Sequence, residues 1–127
     1  MLPISARHCY IGLKLIFKKW IKEAVPSNLK SYHMLTMFYW FLETKSPCFW
    51  DNESSCSFEV NLRHLLLFVC EKLESGHIEH FFIRSINLID KIMALNGKGD
   101  AKEDMKKVSL FIRSIIEDKK FPGYNSL

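Results

Sequence analysis

Four polar residues open an otherwise apolar stretch of the sequence: Lys30, Ser31, Tyr32 and His33. If this stretch is a helix, Ser31 lies in its first turn, where unpaired backbone N–H groups and the helix dipole favour an anion such as a phosphate. The adjacent Tyr32 carries a ring on which a nucleobase can stack. The same pattern is typical of an ordinary helix start followed by a core tyrosine. The residues alone favour the ordinary helix start.

The segment before this stretch carries several lysines among its apolar residues: Lys14, Lys18, Lys19 and Lys22. Clustered positive charge attracts the phosphates of a nucleotide or a nucleic acid. Amphipathic helices also commonly direct lysine toward solvent. The pattern therefore fits a phosphate-binding surface as well as a solvated helix face, and its spacing favours the solvated face.

Motifs of common enzyme active sites are missing from the sequence. It contains no glycine-rich phosphate loop and no closely spaced Asp-x-Asp or Glu-x-Asp pair on a strand that could hold magnesium. His77 and His80 lie three residues apart and His8 adjoins Cys9. Because a structural zinc site needs four converging ligands and neither pair has a second pair nearby, we expect no metal site.

The composition is that of a globular protein with one domain. The chain has 127 residues, of which 48% are hydrophobic and 25% charged, and its formal net charge is +4. No apolar stretch reaches the roughly 20 residues of a membrane-spanning helix, and the N-terminal residues lack the apolar core of a signal peptide. We expect a cytoplasmic or nuclear protein without a transmembrane segment, whose cysteines are reduced thiols.

Apolar periodicity predicts an all-α fold of five or six helices. The four clearest helices are expected over residues 6–24, 29–43, 58–74 and 101–118. Residues 77–83 read as a short helix or turn, and residues 87–95 have mixed character. No alternating strand pattern of useful length is present. The second helix is apolar on nearly every side, which predicts that it occupies the centre of the core.

The connections between these helices are also predicted. Ser27 or Asn28 is expected to cap the second helix, and Asp100 with Glu103 forms a plausible capping box for the last one. Residues 44–57 contain turn formers without periodicity, which predicts a long surface loop. Phe49 and Trp50 are expected to fix this loop to the core.

Four blocks of the sequence resemble the male-abnormal-twenty-one (Mab-21-like) family, which includes cyclic GMP-AMP synthase. The blocks are HCYIGLKLIFKKW, LKSYHMLTMFYWFLE, a loop ending in tryptophan, and NLRHLLLFVCEKLESGHIEHFFIRSINLI, and their order and spacing agree over residues 6–92. The SYH motif with Thr36 three residues later is distinctive. The resemblance implies that residues 1–127 form a single helical domain, similar to the HhH/H2TH-like C-terminal lobe that closes one side of a nucleotide cleft.

The resemblance also implies roles for individual residues. Lys14 and Ser31 match residues that contact nucleotide phosphate in the family, and Tyr32 matches the tyrosine that stacks on the base. The Mg²⁺ and nucleoside triphosphate of a complete relative are bound with carboxylates of an N-terminal lobe, which this chain does not resemble. We therefore expect a domain that is not catalytic alone and has no cofactor of its own. The family's zinc-binding insertion has no counterpart here.

The resemblance implies several kinds of partner. They are a nucleotide, a nucleic acid bound through the face of Lys14, Lys18, Lys19 and Lys22, and an N-terminal catalytic lobe or another protein. It also associates the chain with innate immunity. Many relatives keep the lobe but have lost catalysis, so the alternative function is that of a protein–protein interaction module.

Overall fold

The computed structural model describes residues 3–50, 55–78, 88 and 101–118, and the regular structure within them is entirely helical. Helix α1 consists of an α-helical segment Ile4–Ile16, a π-helical segment Phe17–Ile21 and a short α-helical segment Lys22–Ala24. The other helices are α2 (Ser31–Thr44), α3 (Ser55–Ser75) and α4 (Lys102–Asp118). The prediction of an all-α fold is confirmed.

The described residues hold four helices, not the predicted five or six. The higher number counted the segments at 77–83 and 87–95, most of which lie outside the described residues, as does Asp100 of the predicted capping box. Helix α3 begins at Ser55, three residues before the predicted start. Periodicity detects the turns that pack on a core, and the polar sequence SCS at this helix start carries no such signal.

Helix α3 is the centre of the fold, because it packs against each of the other three helices. Its apolar stripe is buried throughout and consists of Leu62, Leu65, Leu66, Val69, Cys70 and Leu73. The expectation that α2 would be central is wrong. One side of α2 is buried through Met34, Met37, Phe38 and Phe41, whereas Tyr32 and Tyr39 on this helix are exposed.

A glycine allows α1 to approach α3 closely. A Cβ atom built on Gly12 would lie 3.2 Å from Cζ of Phe58 and 3.3 Å from Cδ2 of Leu62. Both neighbours are almost fully buried, so they have little room to move away. The absence of a side chain at Gly12 therefore sets the distance between these two helices.

A bidentate ion pair joins α3 to α4. Arg113 donates from Nε to Oε2 of Glu74 at 2.7 Å and from Nη2 to Oε1 at 2.8 Å. The hydroxyl of Ser109 donates to the same carboxylate. These hydrogen bonds, first from Arg113 and then from Ser109, lower the pKa of Glu74 to about 2. Three charged or polar groups on two helices are thus held in one fixed geometry.

Aromatic packing fixes the segment that follows α2. A 3₁₀ turn, Pro47–Trp50, places Trp50 in the core with 4% exposure. The rings of Phe49 and Trp50 both meet Phe41 edge to face, with centroids 5.9 Å apart in each case. The prediction that these two aromatic residues fix the loop is confirmed.

The thiols of Cys9, Cys48 and Cys70 are free, as predicted. Cys9 and Cys70 are buried, whereas Cys48 is exposed. Burial raises the pKa of Cys9 to about 12, so its thiol stays protonated and behaves as a small apolar group. The side chain of Cys56 lies outside the described residues.

Candidate functional site

The site is built on the N-terminal end of α2. Ser31 is the first residue of this helix, and Lys30 is its N-cap residue. The side chains of Ser31 and Tyr32 are exposed, Tyr32 by 54%. The prediction that Ser27 or Asn28 caps the helix is wrong, because the helix starts later than either residue allows. Ser27 Oγ instead accepts a hydrogen bond from the backbone N–H of Leu29 at 3.3 Å.

His33 stabilises this helix start from the buried side. Its Nδ1 atom accepts a hydrogen bond from the backbone N–H of Lys30 at 2.9 Å, and the backbone N–H of His33 donates to the Lys30 carbonyl at 3.0 Å. An acceptor at this position normally comes from Glu or Gln in a capping box. The side chain of Lys30 has no acceptor and cannot supply the other half of such a box. The imidazole of His33 is therefore the side-chain cap of α2.

The His33 ring is neutral near pH 7. It is only 1% exposed, and burial lowers its pKa to about 4, with the positive charge of Lys30 acting in the same direction. Because Nδ1 accepts a hydrogen bond, the ring proton is on Nε2. Within the described residues Nε2 has no hydrogen-bonding partner. The neutral ring is thus required by both its burial and its capping hydrogen bond.

Tyr32 is held in place at the helix start while most of its ring stays accessible. Its ring lies against the His33 ring, with centroids 4.0 Å apart and planes tilted by 35°. Its carbonyl accepts a hydrogen bond from the hydroxyl of Thr36 at 2.8 Å. The buried histidine therefore supports one part of the Tyr32 ring, and the remainder faces solvent.

Lys14 belongs to the neighbouring helix. Its ammonium lies 5.4 Å from the ring centroid of Tyr10, a cation–π distance. The Tyr10 ring in turn stacks on Phe38 of α2, with centroids 5.0 Å apart and planes 29° apart. Two of the three predicted site residues, Ser31 and Tyr32, thus lie together at the start of α2, whereas Lys14 lies on α1. Among the described residues, Lys14 makes no hydrogen bond or ion pair with either of them.

The other predicted lysines follow the π-helical segment of α1. Lys18, Lys19 and Lys22 are exposed, and the ammonium of Lys22 lies 5.3 Å from the ring of Phe17. A π turn contains about one residue more than an α turn. The positions of Lys18, Lys19 and Lys22 around the helix axis relative to Lys14 therefore differ from those in an uninterrupted α-helix.

The sequence analysis assigned no role to three residues near this site: Tyr10, His33 and Tyr39. Tyr39 lies seven residues after Tyr32 and is 37% exposed. Burial raises the pKa of Tyr10, and the proximity of Tyr39 raises it further, so the two phenols are neighbours. The spacing of seven residues along α2 was the available signal for Tyr39. His33 had no such signal, because its role depends on where its ring points.

The described residues contain no group of three or more His, Cys, Asp or Glu side chains that could hold a metal ion. None of the helices in the described ranges combines the length and the apolarity of a membrane span.

The model of the Mab-21 protein HhH/H2TH-like domain family matches residues 5–103 of the chain. No solved structure matches it.

Proposed function

Since the chain belongs to the Mab-21 family through this HhH/H2TH-like domain, we propose that it contributes phosphate and base contacts to the nucleotide cleft of a nucleotidyltransferase-like protein. In this function Lys14 and Ser31 bind phosphate, and Tyr32 stacks on the base. The domain is not catalytic alone and holds no cofactor of its own. The carboxylates, the Mg²⁺ and the rest of the triphosphate site belong to a catalytic lobe.

The observation that carries the proposal is the exposure of Tyr32. A core tyrosine at this position would be buried, as the adjacent His33 is, yet 54% of Tyr32 is accessible. Stacking a base on an aromatic side chain contributes about 1–3 kcal/mol by alanine substitution. Because its ring already rests on His33, little conformational freedom is lost when a base stacks on the accessible part.

The start of α2 supports the phosphate contact. The N–H groups in the first turn of a helix have no intrahelical acceptor, and the helix dipole adds a partial positive charge there. The Lys30 N–H is taken by His33, whereas the exposed Ser31 hydroxyl and the backbone N–H groups beside it remain suitable donors to a phosphate. The side chain of Lys30 is also exposed at this end.

The connection between α1 and α2 supports a role for Lys14. Only residues 25–30 join the two helices, and helices with so short a link commonly pack as antiparallel neighbours. Tyr10 of α1 contacts Phe38 of α2. Lys14 follows Tyr10 by one helical turn. In an antiparallel pair it therefore lies beside the turn of α2 that precedes Phe38, which is closer to Ser31. One helical turn is about 5 Å. Ser31 is then within reach of the flexible Lys14 side chain.

A nucleotide titration followed by NMR tests the proposal on the full chain. We expect millimolar ATP or GTP to shift the backbone signals of Ser31 and Tyr32 and the signals of Lys14. Ser31→Ala should weaken the response, whereas Lys107→Ala, which removes an exposed lysine from α4, should leave it unchanged. A spectrum that millimolar nucleotide does not perturb would overturn the proposal.

The second candidate function is the protein–protein interaction module. It is favoured by Ile4 and Ile11, which lie seven residues apart on α1 and are 47% and 41% exposed. Apolar side chains at this spacing form one row on a helix, and such rows commonly bind another protein. In that case Ile4→Lys with Ile11→Lys should abolish binding to a protein partner, and the NMR spectrum should not respond to nucleotide.

A further inference from the structure

We propose that the face of α2 bearing Tyr32 and Tyr39 is a stacking surface for single-stranded nucleic acid, on which Tyr39 takes a second base. The proposal rests on the proposed function in that Tyr32 receives the first base. It adds a ligand class, which is an unpaired nucleic-acid strand. It also adds Tyr39 as a binding residue, which the nucleotide contacts do not include.

The spacing of the two tyrosines suits two separate bases. They lie seven residues apart on one helix, so they point to the same side and are about 10 Å apart along the axis. Tyr32 is 54% and Tyr39 37% exposed, whereas Phe38 beside Tyr39 is buried. Stacked bases in one strand rise about 3.4 Å each. The two rings can therefore hold bases about three positions apart in a stacked strand, or closer neighbours in an extended one.

A positive charge lies beside this row. Tyr39 lies close enough to Tyr10 to raise the pKa of the Tyr10 phenol, and the Lys14 ammonium lies 5.4 Å from the Tyr10 ring. The Tyr10 ring stacks on Phe38 of α2, so the Lys14 ammonium lies on the side of α1 that packs against α2. A phosphate that links two stacked bases would lie near this lysine. The exposed Lys30 extends the positive charge toward Tyr32.

This arrangement favours an unpaired strand over a duplex. The bases of a duplex are paired and stacked on one another, so their faces are not available to side chains that project from a helix surface. Duplex binding would depend on lysines that contact the backbone phosphates, to which the exposed tyrosines add nothing. The tyrosines contribute to binding only when bases can leave the stack.

Fluorescence anisotropy on the full chain tests this inference with a labelled oligothymidylate of about twelve nucleotides and a duplex of the same length. We expect the single strand to bind more tightly than the duplex, with an affinity that falls between about 50 and 200 mM salt. Tyr39→Ala should weaken single-strand binding by roughly five- to thirty-fold, which corresponds to loss of one stacked base. Tyr39→Phe, which keeps the ring, should retain the affinity.

The controls separate this inference from the nucleotide proposal. Leu110→Ala changes a side chain that is 67% exposed on α4 and should not alter the affinity. Tyr39→Ala should leave the ATP-induced NMR shifts of Ser31 and Tyr32 unchanged, and these shifts also report that the variant is folded. Equal binding of single strand and duplex, or equal affinity of Tyr39→Ala and the unmodified chain, would overturn the inference even where ATP binds. Failure of ATP to shift any signal would instead overturn the nucleotide proposal.

Discussion

The imidazole Nδ1 of His33 accepts a hydrogen bond from the backbone N–H of Lys30 at 2.9 Å, so a buried histidine caps the helix that carries the candidate site. This bond exists only while the ring is neutral, because protonated Nδ1 would face the Lys30 N–H as a second donor. The geometry at the start of α2 is therefore linked to the protonation of one side chain.

This linkage predicts how stability depends on pH. The pKa of His33 is about 4 in the folded chain and 6.5 in a solvated one. Between these values the unfolded state binds the proton and the folded state does not, so the free energy of unfolding should fall as the pH drops from 6.5 to 4. The loss from this residue is at most about 3 kcal/mol. Urea unfolding at a series of pH values measures it.

The matching variant is His33→Gln, which keeps an acceptor but cannot titrate. Its free energy of unfolding should depend less on pH than that of the unmodified chain between pH 6.5 and 4. His64→Gln, which changes an exposed histidine on α3, should keep the full dependence. If His33→Gln and the unmodified chain lose stability in parallel over this range, His33 is not the group responsible.

The ion pair between Glu74 and Arg113 should contribute measurable but modest stability. Both side chains are more than a third exposed, at 38% and 39%, so solvent screens much of their attraction. Because the contact is bidentate, we expect a coupling energy of about 1 kcal/mol from a double-mutant cycle with Glu74→Ala and Arg113→Ala. Lys106 and Glu103, at 3.5 Å and with 59% and 81% exposure, form the control pair. Their coupling should be below about 0.5 kcal/mol.

The same carboxylate predicts a second pH effect. Its pKa is lowered from 4.5 to about 2, chiefly by hydrogen bonds from Arg113. The stability it contributes is present above pH 4.5 and is lost as the pH falls from 4.5 to 2. This interval lies mostly below that of His33, so the two losses should be separable. Glu74→Gln should remove only the loss of stability between pH 4.5 and 2. If stability in that variant still fell with pH as in the unmodified chain, this assignment would be contradicted.

Substitution of Gly12 should destabilise the fold in spite of its position inside a helix. Alanine gains about 1 kcal/mol over glycine in helix propensity, but its Cβ would lie 3.2 Å from the Phe58 ring. Overpacking a close helix contact costs about 1–3 kcal/mol. We therefore expect Gly12→Ala to lower the free energy of unfolding by about 1 kcal/mol, and Gly12→Val by more. A Gly12→Ala variant of increased stability would mean that α3 moves away without cost.

Sequence periodicity was sufficient for the buried faces but not for the site. Leu62, Leu65 and Val69 repeat at helical spacing and are fully buried, because an apolar stripe on a helix has to pack against something. The π-helical segment was not predictable, since the spacing of Leu13, Phe17 and Ile21 also fits an uninterrupted α-helix. Only the packed structure determines which of these two registers is adopted.

The capping role of His33 was unpredictable for a different reason. Capping is usually inferred from Ser, Thr, Asp or Asn before a helix, and that rule pointed to Ser27 or Asn28, upstream of the true start. The cap is instead an imidazole that reaches back three residues from inside the helix. Similarly, the family resemblance assigned Lys14 and Ser31 to one ligand, but their separation depends on how α1 and α2 pack, which no local pattern encodes.

The roles proposed for Lys14 and Tyr32 predict different ligand dependence in their variants. Tyr32→Ala removes a stacking partner and should lower the binding affinities for ATP and adenosine by a similar factor, roughly five- to fifty-fold. Lys14→Gln removes a charge near the phosphate. It should lower the binding affinity for ATP and leave that for adenosine almost unchanged. Because Tyr32 is exposed, its substitution should change the free energy of unfolding by less than about 0.5 kcal/mol. Tyr32→Phe, which keeps the ring, should bind both ligands normally. If Lys14→Gln weakened the binding of adenosine and of ATP equally, Lys14 would act through the fold and not on the phosphate.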